Sequence, residues 1–210
     1  MKTDRTKIKR FPELGSHDRL VIHRILDEAL VCHVGFTGSS GEPVVIPSIH
    51  ARIGDSLYLH GAPASRMMRT LSDGGPVCVT VTLLDGIVLA RTPTHSAYNY
   101  RSVVLFGNAE RIRDDAEKLD ALRAITEHVT PGRWADCRPP TKPEIDRTAV
   151  VKLPIDEASA KIATGFPEDE DEDYDLDIWA GVIPLTLQAG EPEPDPRLKS
   201  GVRVPGYLSG

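Results

Sequence analysis

Aromatic residues are scarce in this chain of 210 residues, at 5%, and long hydrophobic runs are absent. No stretch approaches the roughly 20 apolar residues of a membrane-spanning helix. The basic start, MKTDRTKIKRFPELG, is not followed by the apolar segment that a secretion signal requires. We therefore expect a cytoplasmic protein that does not bind a membrane.

Cysteine is also sparse: Cys32, Cys78 and Cys137 are an odd number at wide spacing. Such spacing fits neither a disulfide framework nor a zinc knuckle. The formal net charge of −6 gives no general attraction to nucleic acid. Apolar residues at 40% and charged residues at 27% are typical of a folded, soluble protein.

The short motifs of several enzyme classes are missing as well. The sequence contains no GxSxG, HExxH, GxxxxGK[ST] or GxGxxG, so a hydrolase or a P-loop enzyme has no support. The acidic stretch 168–177 lacks the glycine and the ligand spacing of an EF-hand. We expect this stretch to be a solvated loop, with a lid or a partner site as the alternative.

Hydrophobic periodicity predicts two long helices and one short one. Apolar residues at helical spacing over 16–30 indicate a first helix capped by Ser16. Asp114, with a glutamate three residues later, has the form of a capping box for a second helix that ends at 131–132. A short helix is predicted over 63–71.

The remaining apolar segments are typical of β-strands. They lie at 31–37, 44–53, 56–61, 76–84, 87–91, 101–112 and 148–155. The first three predict a meander, and Asp85-Gly86 predicts a hairpin turn. Strands in this order with few intervening helices favour an antiparallel barrel over a parallel βαβ sheet. We expect one domain over 1–187 and a poorly ordered, proline- and charge-rich tail over 188–210.

Three histidines, His33, His50 and His60, fall on three successive predicted strands. They could converge as a zinc or haem site, although imidazoles on strands more often hydrogen-bond to neighbouring acceptors. Ser65 and Arg66 lie in the first turn of the predicted short helix, where free amides and a guanidinium favour a phosphate. A solvated arginine is the alternative there.

A polar and aromatic cluster opens the strand that ends in VLFG. It consists of Tyr98, Asn99, Tyr100, Arg101 and Ser102. Such a group can contact a planar ring and its polar edge, or it can be an ordinary strand edge.

Four segments, taken in order, resemble one family. They are DRLVIHRILDEALVCHVGF, EPVVIPSIHARIGDSLYLHGAPASRMM, YNYRSVVLFGNAERI and IWAGVIPL. Over roughly residues 12 to 185, this order is similar to the pyridoxamine 5′-phosphate oxidase-like flavin proteins, in the branch with the nitroimidazole-resistance proteins. The resemblance implies an antiparallel split β-barrel that forms a homodimer, with two FMN molecules in grooves between the subunits.

The resemblance also implies which residues contact the cofactor. The implied positions are Pro47, Ser48, Ile49, His50, Leu59, His60, Ser65, Arg66, Tyr100, Arg101, Ser102 and Trp179. Among them, Ser65 and Arg66 match the pair that holds the flavin phosphate, but Met67 replaces the family's following lysine. The arginine that helps to hold pyridoxal phosphate has no counterpart, which argues against pyridoxamine phosphate oxidation.

The function that the resemblance implies is FMN-dependent oxidation or reduction of a small, planar or electron-poor molecule, with a nicotinamide or reduced flavin as electron source. His60 and Tyr98 are the expected polar groups near the substrate. Three alternatives stay open: a deazaflavin in place of FMN, a flavin- or haem-binding protein without turnover, and a degenerate flavin groove. In the second, His50 or His60 would be the axial ligand; in the third, Met67 and Ser102 would be signs of decay.

Overall fold

The computed structural model describes residues 1–208; the last two residues of the predicted tail, 209–210, lie outside it. The described chain forms five α-helices: α1 (Arg19–Glu28), α2 (Arg66–Ser72), α3 (Asp115–Val129), α4 (Arg133–Asp136) and α5 (Lys142–Asp146). It also forms eleven strands: β1 (Gly15–Ser16), β2 (Cys32–Thr37), β3 (Pro43–Ser48), β4 (Ala51–Ile53), β5 (Ser56–Gly61), β6 (Pro76–Leu89), β7 (Ala97–Asn108), β8 (Glu110–Arg111), β9 (Ala149–Pro154), β10 (Glu157–Ala163) and β11 (Gly181–Pro184).

The strands form two antiparallel sheets. The larger sheet has the order β1-β10-β7-β6-β2-β3, and β11 also pairs with β6. The smaller sheet has the order β4-β5-β9-β8. With helices at the periphery, this arrangement confirms the predicted fold class, which is mainly β with antiparallel strands. Among residues 1–208, no helix has the length and apolarity needed to cross a membrane.

One hydrophobic core joins the two sheets and α1. The larger sheet contributes the inward residues of β6 and β7, among them Val79, Val81, Val103 and Leu105. The smaller sheet contributes Leu57, Leu59, Val151 and Leu153, and α1 contributes Ile22, Ile25 and Leu26. Successive residues of a strand face opposite sides of its sheet, so one face of each strand fills this core. A second, smaller cluster packs α3 against the smaller sheet.

The first helix begins two residues later than predicted, because Asp18 rather than Ser16 is its cap. The carboxylate of Asp18 accepts hydrogen bonds from the amides of Leu20 and Val21, at 2.7 and 3.4 Å. Ser16 instead lies in β1, and its hydroxyl accepts a bond from the Asp18 amide. Both residue types are good caps, so local sequence did not distinguish them.

The predicted hairpin at Asp85-Gly86 is wrong, because β6 is a single strand of 14 residues. Its pairing with β7 shifts register between Leu84 and Gly86, which marks a β-bulge. Gly86 is needed there because a side chain at this position would lie 3.0 Å from Val182 of β11. An Asp-Gly pair between apolar runs indicates a turn locally, but pairing with β7 and β11 keeps the strand extended.

The predicted strand 44–53 is divided into β3 and β4, so the meander is wrong in part. The chain leaves the larger sheet after Ser48 and enters the smaller sheet at Ala51. The turn at 54–55 between β4 and β5 is as predicted, with Gly54 at a φ of 58°. The two residues at the crossing, Ile49 and His50, therefore lie between the sheets.

The helix with the predicted Asp114 cap is confirmed, since the Asp114 carboxylate accepts a bond of 2.8 Å from the Glu117 amide. The short helix predicted over 63–71 begins three residues later, as α2 at Arg66, with Ser65 as its cap. Five elements were not predicted: β1, β10, β11, α4 and α5. Strand β10 has the alanine-rich sequence EASAKIA, whose small side chains pack into the core at Ala158 and Ala160.

The acidic stretch was predicted to be a solvated loop, and this is correct only in part. The side chain of Asp169 is buried. It has no exposed surface, and both carboxylate oxygens accept hydrogen bonds from the Arg91 amide. Burial raises the pKa of Asp169, but these bonds outweigh it and hold the pKa below its usual range. The other acidic residues from Glu168 to Asp177 are exposed or half-buried, as a solvated loop would be.

Candidate functional site

The candidate site is a cavity of about 750 Å³ between the smaller sheet and the helices that follow it. Ile49 and His60 line its sheet side. Helix α3 contributes an apolar wall through Leu122, Ile125 and Val129. The volume lies within the range of about 300–1,000 Å³ that is usual for small-molecule sites.

The third wall comes from residues 130–144, which contain α4 and α5. Trp134 adds an aromatic surface, and Arg133 and Arg138 add positive charge. The Arg138 guanidinium donates to the Glu144 carboxylate at 2.8 Å, and Arg133 donates to the Tyr207 hydroxyl at 3.4 Å. Asp136 and Glu144 also line this wall, so the cavity is an apolar slot with two arginines and two carboxylates along one side.

His60 is the imidazole in this lining. Its Nδ1 is buried and has no hydrogen-bond partner among residues 1–208. Burial lowers the pKa of His60, so the ring is neutral at neutral pH. A neutral imidazole in an apolar cavity is available to bind a metal or to exchange a proton with a bound molecule.

His50 has a different environment, although it lies next to Ile49 in the sequence. Its ring is fully buried, its Nε2 lies 2.9 Å from the carbonyl oxygen of Leu26, and its centroid lies 5.0 Å from that of His128. His128 makes a similar bond of 2.9 Å to the carbonyl oxygen of Ala29. Because these two carbonyls lie at the end of α1, both histidines satisfy polar groups at a helix terminus.

The structure does not bring the three strand histidines together. His33 is exposed on β2 in the larger sheet, His50 is stacked on His128, and His60 lines the cavity. Within residues 1–208, the one group of three residues with metal-binding geometry is His95, Asp169 and Asp173, which includes none of them.

Ser65 and Arg66 lie at the start of α2, outside the cavity. The Ser65 hydroxyl accepts a bond of 3.2 Å from the Met68 amide, as a helix cap does. The Arg66 side chain is about half exposed, and its guanidinium lies 3.3 Å from the Glu42 carboxylate. Met67, at the position of the family's lysine, is buried in the core and does not face this surface.

Arg101 lies in a network of three charged groups on another surface. Its guanidinium donates two hydrogen bonds to Asp85, of 2.9 and 2.8 Å, and two to Glu28. These bonds raise the pKa of Arg101 and lower the pKa values of Asp85 and Glu28. Asp85 is the residue of the β6 bulge, so the bulge places this carboxylate beside Arg101.

Tyr98, Tyr100 and Ser102 face the side of β7 opposite to Arg101 and line a shallow groove of about 480 Å³. Leu84 of the neighbouring strand completes its apolar surface. Tyr98 is 57% exposed and Leu84 is 51% exposed. The groove is therefore an open apolar surface on the larger sheet.

The other implied cofactor positions are dispersed. Leu59 is fully buried in the core, so its side chain is not available to a ligand. Pro47 is exposed and Ser48 half-buried at the end of β3. Trp179 is 67% exposed, two residues before β11. In a single chain, these positions therefore occupy several separate surfaces.

Three residues that line the cavity were not predicted from the sequence: Arg133, Trp134 and Arg138. The available signal was a tryptophan flanked by arginines just beyond the end of α3, at Pro131-Gly132. Residues 133–136 and 142–146 form helices too short to show hydrophobic periodicity.

Comparison with known proteins shows which family has this fold. The family profile described as pyridoxamine 5′-phosphate oxidase matches residues 18–162. The flavocytochrome Anf3 from Azotobacter vinelandii is 42% identical, with a TM-score of 0.92 and 99% of this chain and 96% of that chain covered. The FAD and heme binding protein from Mycobacterium smegmatis is 38% identical, with a TM-score of 0.88 and coverage of 93% and 95%.

A third structure is a putative 5-nitroimidazole antibiotic resistance protein from Bacteroides thetaiotaomicron. It is 30% identical, with a TM-score of 0.60, and the match covers 70% of this chain and 86% of that chain. A comparison with curated protein sequences found no match. The profile, the fold and these identities agree: the chain belongs to the pyridoxamine 5′-phosphate oxidase-like family of split β-barrel proteins.

Proposed function

We propose that this protein is a flavin-dependent oxidoreductase of a small molecule and that it carries haem as a second cofactor. The observation that carries this proposal is near full-length similarity, at 42% and 38% identity, to a flavocytochrome and to an FAD and heme binding protein. When bound, a flavin supplies hydride or electron transfer and a haem supplies one-electron chemistry. The chain has to bind and orient these groups.

The flavin phosphate fits the surface at the start of α2. Arg66 offers a fork of donors to phosphate oxygens, and its side chain is half exposed and therefore accessible. The carboxylate of Glu42 at 3.3 Å competes for the same guanidinium. A phosphate would replace Glu42 as the partner of Arg66, at little cost because exposed ion pairs contribute only about 0–1 kcal/mol.

Two copies of the chain are needed to complete the flavin site. Ser65 and Arg66 lie beside the β2–β3 turn, where Arg66 meets Glu42. Tyr100 and Ser102 lie on the half of β7 that pairs with Thr82 and Leu84, away from that turn. Because one chain presents these groups on separate surfaces, we propose a homodimer in which the groove of one copy faces the phosphate surface of the other.

The open groove supports this arrangement. Leu84 and Tyr98, both more than half exposed, form an apolar surface of the kind that a symmetric partner covers. In the dimer, Tyr98 would lie close to the flavin ring and to the substrate. Its hydroxyl would then orient a polar edge of the bound molecule.

The test is the visible spectrum of the freshly purified full chain, followed by mass analysis of the molecules released on denaturation. We expect flavin bands together with a Soret band, and a released mass that distinguishes FMN from FAD and from a deazaflavin. Anaerobic addition of NADH or NADPH would then bleach the flavin bands. A colourless protein that binds neither added flavin nor added hemin would overturn the proposal.

Turnover is tested separately, because binding alone does not make an oxidoreductase. The loaded protein should reoxidise with a small electron-poor acceptor such as a nitroimidazole or a quinone, faster than free flavin at the same concentration. A rate equal to that of free flavin would leave a cofactor-binding protein without catalysis.

A further inference from the structure

The two full-length relatives raise a question that their similarity alone does not answer, which is where a haem would lie in this chain. Haem is a flat, apolar macrocycle that bears two carboxylates and takes an imidazole as an axial ligand. A site for it therefore combines an apolar slot, an available histidine and side chains at one edge that can bind carboxylates. The cavity beside α3 has these three features.

We propose that the cavity lined by His60, α3 and residues 130–144 is the haem site, with His60 as an axial ligand of the iron. Arg133 and Arg138 then bind the two propionate carboxylates. This inference rests on the proposed function, in which haem is the second cofactor.

The imidazole of His60 is suited to bind iron. The Nδ1 of His60 is buried without a hydrogen-bond partner among residues 1–208, whereas buried polar atoms are normally paired. Burial keeps the ring neutral, which is the form that binds iron. His60 therefore has a ring without a structural bond at Nδ1, at the lining of a cavity of about 750 Å³.

His50 does not fit the same role, although its Nδ1 is also buried and unpaired in the described chain. Its Nε2 is bonded to the Leu26 carbonyl, and His128 covers its ring at 5.0 Å. A macrocycle could reach His50 only by displacing His128 from its own bond to Ala29. The structure therefore favours His60 over His50.

The walls of the cavity are the second argument. Leu122, Ile125 and Val129 of α3 and the ring of Trp134 present apolar surface suited to a macrocycle. A flavin fits less well here, because Ser65 and Arg66, which suit its phosphate, lie outside the cavity. The cavity and the start of α2 therefore suit two different cofactors.

The charge at the edge is the third argument. Arg133 and Arg138 both line the cavity, and their present partners are exposed or weak: Glu144 for Arg138 and the Tyr207 hydroxyl, at 3.4 Å, for Arg133. Arginine suits carboxylates because its guanidinium can donate two parallel hydrogen bonds. The exposed Arg138–Glu144 pair has two hydrogen bonds that a propionate would have to replace, whereas Arg133 would give up one long hydrogen bond.

The experiment is a titration of the full chain with hemin. Binding is monitored by the Soret absorption band and by electron paramagnetic resonance of the ferric form. Wild type should bind one hemin per chain with an imidazole-ligated spectrum. The His60→Ala variant should bind at least about tenfold more weakly and should lose that spectral signature. The control is His33→Ala, which removes an exposed histidine and should leave both readouts unchanged.

A His60→Gly variant guards against a folding defect. Added imidazole should restore the Soret position and the resonance signature of wild type, which a misfolded chain would not allow. The Arg133→Ala and Arg138→Ala variants should each weaken hemin binding by roughly tenfold without moving the Soret position, because they lose a charge-assisted hydrogen bond. Arg113→Ala, an exposed arginine of a different loop, is their control.

The outcomes separate this inference from the proposed function. If wild type binds no hemin, the proposal that haem is the second cofactor is wrong. If wild type binds hemin and His60→Ala keeps an identical spectrum, the assignment of His60 fails and the proposed function stands. If His60→Ala loses flavin but retains haem, the cavity is the flavin site and the inference is overturned.

Discussion

Arg91 and Asp169 form a salt bridge, with 3.1 Å between Nη1 and Oδ2, that joins the β6–β7 connection to the acidic segment 78 residues later. The Arg91 amide donates to both carboxylate oxygens, at 3.0 and 3.2 Å. The Arg91 guanidinium also lies over the ring of Tyr174, 4.6 Å from its centroid. One arginine thus contacts two positions of a segment that composition alone assigns to solvent.

We expect Asp169→Asn to loosen this segment, because the neutral amide cannot accept charge-assisted bonds from Arg91. Limited proteolysis should cut between 165 and 178 several times faster than in wild type, and the Arg91 amide should exchange its hydrogen faster. Asp171→Asn, an exposed neighbour, is the control and should change neither rate. Equal protection in the two variants would show that the bridge does not hold the segment.

Restoration of the family's lysine, as Met67→Lys, should destabilise the protein. Met67 is 7% exposed and packs in the core, so a lysine there would bury a charge or distort α2. We expect the free energy of unfolding to fall by about 2–4 kcal/mol, measured by urea denaturation. Arg66→Lys, on the exposed neighbour, should have little effect on stability. A stable Met67→Lys variant with tighter flavin binding would contradict the observed burial.

Removal of the Arg66 side chain should weaken flavin binding by about 1–2 kcal/mol, as the loss of one charge-assisted contact does. Quenching of flavin fluorescence in a titration measures this change. Arg69→Ala, on the last turn of the same helix, is the matched control. Glu42→Gln should strengthen binding, because it removes the carboxylate that competes for Arg66. Unchanged affinity in Arg66→Ala would remove this residue from the site.

Acid should destabilise the protein below about pH 6.5, where an unfolded histidine takes up a proton. Burial lowers the pKa of His50 in the folded state, so the unfolded chain binds more protons as the pH falls. The free energy of unfolding therefore decreases from the unfolded pKa down to the folded one. His23 and His60, whose pKa values burial also lowers, act in the same direction.

Urea denaturation between about pH 5 and pH 8 measures this dependence. His50→Gln should be less stable at neutral pH, and its stability should vary less with pH than that of wild type. His33→Ala, which removes an exposed histidine, should keep the wild-type dependence. A free energy of unfolding that rises as the pH falls from about 8 to about 5 would contradict the burial of these neutral rings.

The proposed dimer predicts that Tyr98→Asp and Leu84→Asp shift the sedimentation coefficient toward the monomer and release flavin. Both residues belong to the open groove on the larger sheet, where a charge would oppose apolar contact. Leu20→Asp is the control, because Leu20 is 74% exposed on α1 and does not line this groove. A dimer that persists in both groove variants would place the interface elsewhere.

The elements that were predicted correctly depend on local interactions. The Asp114 cap of α3 and the turn at Gly54 each involve residues within a few positions of one another. The errors arose where distant segments decide. Asp85-Gly86 has the sequence of a hairpin turn, but hydrogen bonds to β7 and β11 keep β6 extended.

The predictions for the candidate site were likewise correct where neighbours in sequence decide and failed where distant segments decide. The placement of Ser65 and Arg66 near the start of a short helix, and of His60 on a strand, could be inferred from their neighbours in sequence. The cavity could not, because its walls come from Ile49, from α3 and from residues 130–144, which only the tertiary fold brings together. The burial of Asp169 was hidden by its acidic neighbours, since nothing nearby in sequence indicates the contact with Arg91.

The long strand β6 has a consequence for how the chain folds during synthesis. It pairs with β2 at one end and with β11 at the other, so its hydrogen bonds involve residues from 33 to 184. Until Pro184 has left the ribosome, part of β6 is an open edge available to the wrong partner. Pairing across such sequence distances is slow. The nascent protein is therefore exposed to aggregation through this edge until β11 emerges, and chaperone dependence should be greatest before that stage.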